Sequence, residues 1–151
     1  MQPDAIVYRT VPIKAPLSTV WDSLTNPDLI KRWMWDSDVT IYTDWSVGSP
    51  IRIQGDFHGV RFDNKGTVLQ YIPERTLEYT YWSTLSEIAD APENYSIVEF
   101  SLDAHADQTI LMLRQSQFAT YAIYKHFEFY WNTTLHILKQ LLENPLSTDQ
   151  N

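Results

Sequence analysis

A chain of 151 residues with 44% hydrophobic and 20% charged residues has the size and balance of one ordinary folded domain, able to bury a core without disulfide or metal staples. Its net charge of −8 argues against a surface that reads nucleic-acid phosphates or an anionic membrane. The absence of cysteine excludes disulfides, thiol catalysis and thiolate metal sites.

No stretch approaches the ~20 apolar residues of a membrane span, so no membrane insertion is expected. Met1-Gln2-Pro3-Asp4 has neither the basic flank nor the apolar run of a leader, so the cytoplasm is the expected location. The whole chain, 1–151, reads as one domain with a frayed tail over 144–151.

The first segment, from Ala5 to Lys14, is rich in strand-forming residues, with Ile6, Tyr8, Thr10 and Pro12 on one face and Val7, Arg9, Val11 and Ile13 on the other. Ser18 reads as the N-cap of a short helix that buries Val20, Trp21 and Leu24. Asn26 and Pro27 start a second short helix, whose stripe is Leu29, Ile30, Trp33 and Met34.

From Asp38 the apolar period becomes two. Strands are expected over 39–42, 51–57 and 60–72, the last bulged near Gly66. Further strands follow over 77–82, 98–103 and 109–115, with Pro73-Glu74-Arg75 as a turn and 83–93 as the longest loop. Tyr124, Phe127, Trp131, Leu135, Leu138 and Leu142 recur at steps of three and four, predicting one helix from about Phe118 to Glu143. The class is α+β: an antiparallel sheet covered on one face by a long C-terminal helix.

Several motifs carry a resemblance. Val20-Trp21-x-x-Leu24-Thr25-x-Pro27 followed by Trp33, Asp44-x-x-Val47-Gly48, Gly66-x-Val68 and Pro73-Glu74-Arg75-x-Leu77 occur in one order along the chain. The closing Trp131-x-x-x-Leu135-x-x-Leu138-Lys139-x-x-Leu142-Glu143 completes the set. The sequence thereby resembles the Hsp90-ATPase-activator-homologue branch of the START-like (SRPBCC) superfamily. That resemblance implies a helix-grip fold, in which a curved sheet of about six to seven strands wraps the last helix and encloses a cavity. It implies less about activity, because superfamily members bind lipids, hormones and polyketides or assist chaperones. Two positions depart from the pattern: Ser49 where a second glycine is common, and Tyr130 where a glycine often precedes the helix tryptophan. The bulk of Tyr130 is expected to narrow the cavity.

No residue set shows catalytic spacing. There is no G-x-S-x-G, no phosphate-binding glycine loop and no dinucleotide fingerprint. His58, His105, His126 and His136 form no ligand pattern, and Asp103-x-His105-x-Asp107 falls in an expected hairpin turn, so no metal and no cofactor is expected. His136 is expected at the surface and His126 beside the aromatic stripe.

The aromatic residues, 14% of the chain with six tryptophans, carry the functional expectation. Trp33, Trp35, Phe57, Phe62, Tyr79, Tyr81, Phe100, Phe118, Tyr121, Tyr124, Phe127 and Trp131 are placed near the inner volume by periodicity or by the resemblance. Each one alone is most simply a core residue, but as a group they favour a pocket. Tyrosine and tryptophan carry polar atoms that need partners when buried, and ligand cavities combine aromatic walls with a few polar groups. Arg61 and Gln115 are the expected polar contacts. The expected partner is a small apolar molecule, aromatic or polyketide-like. A cyclase or dehydratase acting on such a ligand and a chaperone-associated interaction domain remain alternatives, and a homodimer is left open.

Overall fold

The computed structural model describes residues 2–35 and 38–144, with side chains from residue 5 onward; the expected tail beyond 144 lies outside them. Seven antiparallel strands form one sheet in the order β1-β7-β6-β5-β4-β3-β2. They are β1 (Gln2–Ile13), β2 (Val39–Tyr42), β3 (Pro50–Phe57), β4 (Val60–Ile72), β5 (Thr76–Ser83), β6 (Ser96–His105) and β7 (Gln108–Phe118). The helices are α1 (Leu17–Thr25), α2 (Pro27–Ile30) and α3 (Tyr121–Glu143). This is the helix-grip arrangement: a curled open sheet, a long final helix, and two short helices after the first strand.

Alternation decides which face of each strand is buried. Val7 and Ile13 of β1, Leu77 and Tyr79 of β5, Val98 and Phe100 of β6, and Leu111 and Leu113 of β7 all point inward. Helix α3 closes this face with Trp131, Thr134, Leu135 and Leu138, and its backbone runs closest to β1. The join is tied at the far end of the helix. Lys139 Nζ donates to the Pro12 carbonyl at 2.5 Å, and Glu143 Oε2 accepts from Lys14 N at 2.7 Å.

Local chemistry moves three boundaries from their expected places. Helix α1 begins two residues early, with Pro16 rather than Ser18 at its N-cap and no side-chain cap; Pro16 brings its own extended backbone, φ −64° and ψ 155°, to that position. Helix α2 is a single turn, capped by Asn26 Oδ1 accepting from Asp28 N at 3.0 Å. Trp33 and Met34 of its expected stripe are buried in the turn that follows. Phe118 ends β7 instead of starting α3, because Thr120 is extended and its hydroxyl accepts from Ile123 N at 3.1 Å. The β4 irregularity lies between Val68 and Gln70.

The helix register can be checked by truncation. Leu138 is fully buried, so Leu138→Ala should cost roughly 2–5 kcal/mol in chemical denaturation. A loss within about 0.5 kcal/mol is the behaviour of a surface residue and would show that α3 is seated on another face.

Candidate functional site

The C-terminal half of α3 and the inner sheet face meet in a packed aromatic core. The Trp33 ring lies edge-on to Phe100 at 6.4 Å, and Phe100 edge-on to Trp131 at 5.7 Å, a geometry aromatic quadrupoles favour. Trp33 Nε1 donates to the Ser23 carbonyl at 2.8 Å. Trp131 Nε1 donates to Gln115 Oε1 at 2.8 Å, and Gln115 Nε2 donates to Ser96 Oγ at 2.9 Å. Gln115 is wholly buried and both ends of its amide are engaged. Trp33, Phe100 and Trp131 thus pack edge to face against one another in this part of the interior.

The N-terminal half of α3 differs. None of its residues from Tyr121 to Tyr130 is buried. Its inward-facing Tyr124, Phe127 and Tyr130 are only half-buried, and they form an aromatic wall opposite β5 and the end of β7. Phe127 stands edge-on to Tyr81 at 5.6 Å and packs at 6.2 Å from Phe118, which meets Tyr124 at 5.4 Å. Tyr130 meets Phe127 at 5.6 Å and donates from its hydroxyl to the Met34 carbonyl at 2.6 Å. That bond ties α3 to the segment after α2.

Polar atoms sit below this wall. Burial raises the ionisation of Tyr79 well above that of an ordinary phenol and pushes Tyr81 up to about 12, with a Ser83 hydrogen bond to Tyr81 opposing the shift. Both phenols stay neutral at physiological pH. Asn64, on the inner face of β4, is 2% exposed, and its Oδ1 has no hydrogen-bond partner.

Other expected contacts lie elsewhere. Phe57 is 43% exposed and Arg61 is exposed, because the β3–β4 hairpin carries them past the edge of the core; the Phe57 ring lies edge-on to His58 at 4.5 Å. Tyr121, 56% exposed, starts the first turn of α3 before the helix turns its aromatic face inward. Phe62 is buried with Val39 and Ile53 in a second apolar cluster, against which the half-buried Trp35 packs. Gln115 is committed to the core as described.

Surface concavities among the described residues lie away from the aromatic wall. One of about 380 Å³ lies beside Trp45 and Tyr71, and one of about 450 Å³ between α1, Arg32 and the end of α3. His126 is exposed at one edge but stacks on Tyr130 at 6.0 Å, and burial of its ring lowers its pKa. His136 and the Asp103, His105 and Asp107 set are exposed.

A sheet gripping a final helix, with an aromatic wall along that helix, defines a START-like domain. The particular family follows from comparison: residues 14–143 match the family described as activator of Hsp90 ATPase homolog 1-like protein, and the chain belongs to it. A Cytophaga hutchinsonii protein of known solution structure is 37% identical, with a TM-score of 0.82 over 97% of this chain and 99% of that one. The Aha1 dimer of Colwellia psychrerythraea is 25% identical, with a TM-score of 0.70 over 91% and 96%. DynU16, from the dynemicin biosynthetic locus, is 19% identical with a TM-score of 0.72 over 95% of this chain and 49% of that protein, a likeness of fold. No curated protein matches the chain significantly. Among the described residues no helix is long and apolar enough to cross a membrane.

The engaged amide of Gln115 makes a measurable claim. Gln115→Leu strands the Trp131 indole N–H in the core and should cost about 1–3 kcal/mol in urea unfolding. Adding Trp131→Phe to that variant should cost less than Trp131→Phe costs alone, since no orphaned partner then remains. Additive losses would show that the two side chains act independently.

Proposed function

We propose that this protein binds a small, largely apolar aromatic molecule in the cleft between the N-terminal half of α3 and the inner face of β4–β7, and that it does so in the cytoplasm. The observation that carries the reading is the uneven seating of α3. Its second half buries Trp131, Thr134, Leu135 and Leu138, while the first half holds Tyr124, Phe127 and Tyr130 only half-buried against Tyr81 and Phe118. Ten helical residues with an aromatic inward face and no buried member leave apolar surface that a flat ligand can cover. The polar tips of Tyr79 and Tyr81, held neutral by burial, suit a site that is mostly apolar with a few orienting groups. Trp33, Phe100 and Trp131 serve as the rigid back wall rather than as direct contacts.

Entry requires the Tyr124–Phe127–Tyr130 face to swing away from β5. That motion must break the Tyr130 hydroxyl's bond to the Met34 carbonyl and the Phe127–Tyr81 ring contact.

A second reading is favoured by the family match itself: contact with an Hsp90-type chaperone, with this chain acting as a homodimer as the Colwellia protein does. The two readings separate in one experiment. Titrating the labelled protein with 2-methoxynaphthalene should shift the amide resonances around Tyr81, Phe118 and Phe127, with 1:1 saturation. Phe127→Ala should weaken that binding by roughly tenfold, as the loss of a buried aromatic contact predicts. No shifts up to the solubility limit, together with stimulation of Hsp90 ATP hydrolysis by the same preparation, would favour the chaperone reading.

A further inference from the structure

The buried amide of Asn64 is a polar group of the inner face whose oxygen has no hydrogen-bond partner among the described residues. β4 places Phe62, Asn64, Gly66 and Val68 on the core side, so the strand's alternation puts a polar residue among apolar ones. Asn64 pairs in register with Ile53 of β3 and Ser83 of β5. Ile53 offers no donor. The Ser83 Oγ already accepts from Leu85 N at 3.1 Å and is engaged with Tyr81. Gly66, the next inward position, adds no side chain, and a Cβ there would fall 1.7 Å from the Thr80 carbonyl. Asn64 Oδ1 is thus enclosed and unpaired.

Desolvating an amide oxygen without a partner costs about 1–3 kcal/mol, and native cores pair nearly all such atoms. The other unpaired buried oxygen, Asp63 Oδ1, belongs to a carboxylate whose second oxygen is held by Arg52 and whose strand position faces outward. No such explanation serves Asn64. Its neighbour in register, Ser83, is two residues from Tyr81, whose ring meets Phe127 across the cleft. On a strand that distance is about 7 Å, within the length of a bicyclic aromatic molecule lying against Tyr81.

We propose that Asn64 is the recognition group at the inner end of this cleft, and that its ligand is a planar aromatic molecule carrying a hydroxyl or N–H at its leading edge. The inference rests on the cleft reading above and adds what that reading leaves open: the ligand must donate a hydrogen bond to Asn64 Oδ1. A purely hydrocarbon ligand, or one presenting only acceptors, leaves that oxygen unpaired and is selected against.

The test uses two probes of nearly equal shape, 2-naphthol and its methyl ether 2-methoxynaphthalene, titrated calorimetrically into the full chain and into Asn64→Leu. The naphthol should bind the unaltered protein roughly tenfold more tightly than the ether, the factor one good hydrogen bond supplies. In Asn64→Leu that preference should vanish, while the thermal midpoint of the unliganded protein stays level or rises, because an unpaired buried acceptor has been removed. A merely structural Asn64 would instead give a lowered midpoint. If Asn64→Leu does not fold, the side-chain amide protons of Asn64 in the unaltered protein remain to be followed by NMR; they should move with the naphthol and not with the ether. Equal affinity for the two probes, or a preference that survives in Asn64→Leu, overturns the inference and leaves the cleft reading standing. Binding of neither probe overturns both.

Discussion

The hydrogen bond from the Trp131 indole to Gln115 Oε1 joins the last helix to the seventh strand at a point where no water reaches. Around it the rings of Trp33, Phe100 and Trp131 interlock edge to face, and Gln115 passes the connection to Ser96 on β6. A buried hydrogen bond of this kind adds only modest net stability, but breaking it strands its partner. It therefore specifies one rotation of α3 about its axis, and with it which side chains of the preceding turns face the sheet. Tyr124, Phe127 and Tyr130 follow from that rotation by helical geometry alone.

The same rotation explains why the helix divides into two unlike halves. Beyond Trp131 its inward residues are threonine and leucines that nest on Val7, Ile13 and the centre of the sheet. Before it they are Ile123, Tyr124, Phe127 and Tyr130, which pack against the core without being fully buried. The fold thus separates a stabilising region from an adaptable one within a single 23-residue helix. Asn64 pairs in register with Ser83, two residues along β5 from Tyr81, which faces the first of these halves.

Most of the architecture was legible in the sequence because alternation and helical periodicity are direct consequences of burial. The pattern Val98, Phe100, Leu102 placed β6, and the stripe from Trp131 to Leu138 placed α3. What periodicity does not encode is where an element stops being packed. Phe57 continues the odd-numbered run of Ile51 and Ile53 but extends beyond the core at the hairpin end, and Tyr121 precedes the first inward turn of its helix. The sequence suggests Gln115 as a polar ligand contact, whereas its amide is engaged by Trp131 and Ser96, through a register between β7 and α3 that no local pattern shows. Asn64 was missed, although a signal existed: it occupies the inward phase set by Phe62 and Val68, where an amide is out of place.

The connection between the two ends of the fold bears on how the molecule is made. Strand β1 has a single neighbour, β7, and the Thr109 hydroxyl at the start of β7 donates to the Ala15 carbonyl from 94 residues away. Every contact that completes the sheet edge is thus of long range, a topology that slows folding because loop closure precedes any reward. During synthesis β1 must wait, unpaired, until almost all of the sheet has left the ribosome. The apolar side chains of its inward face, Val7 and Ile13, are in that interval open to mispairing with other nascent chains.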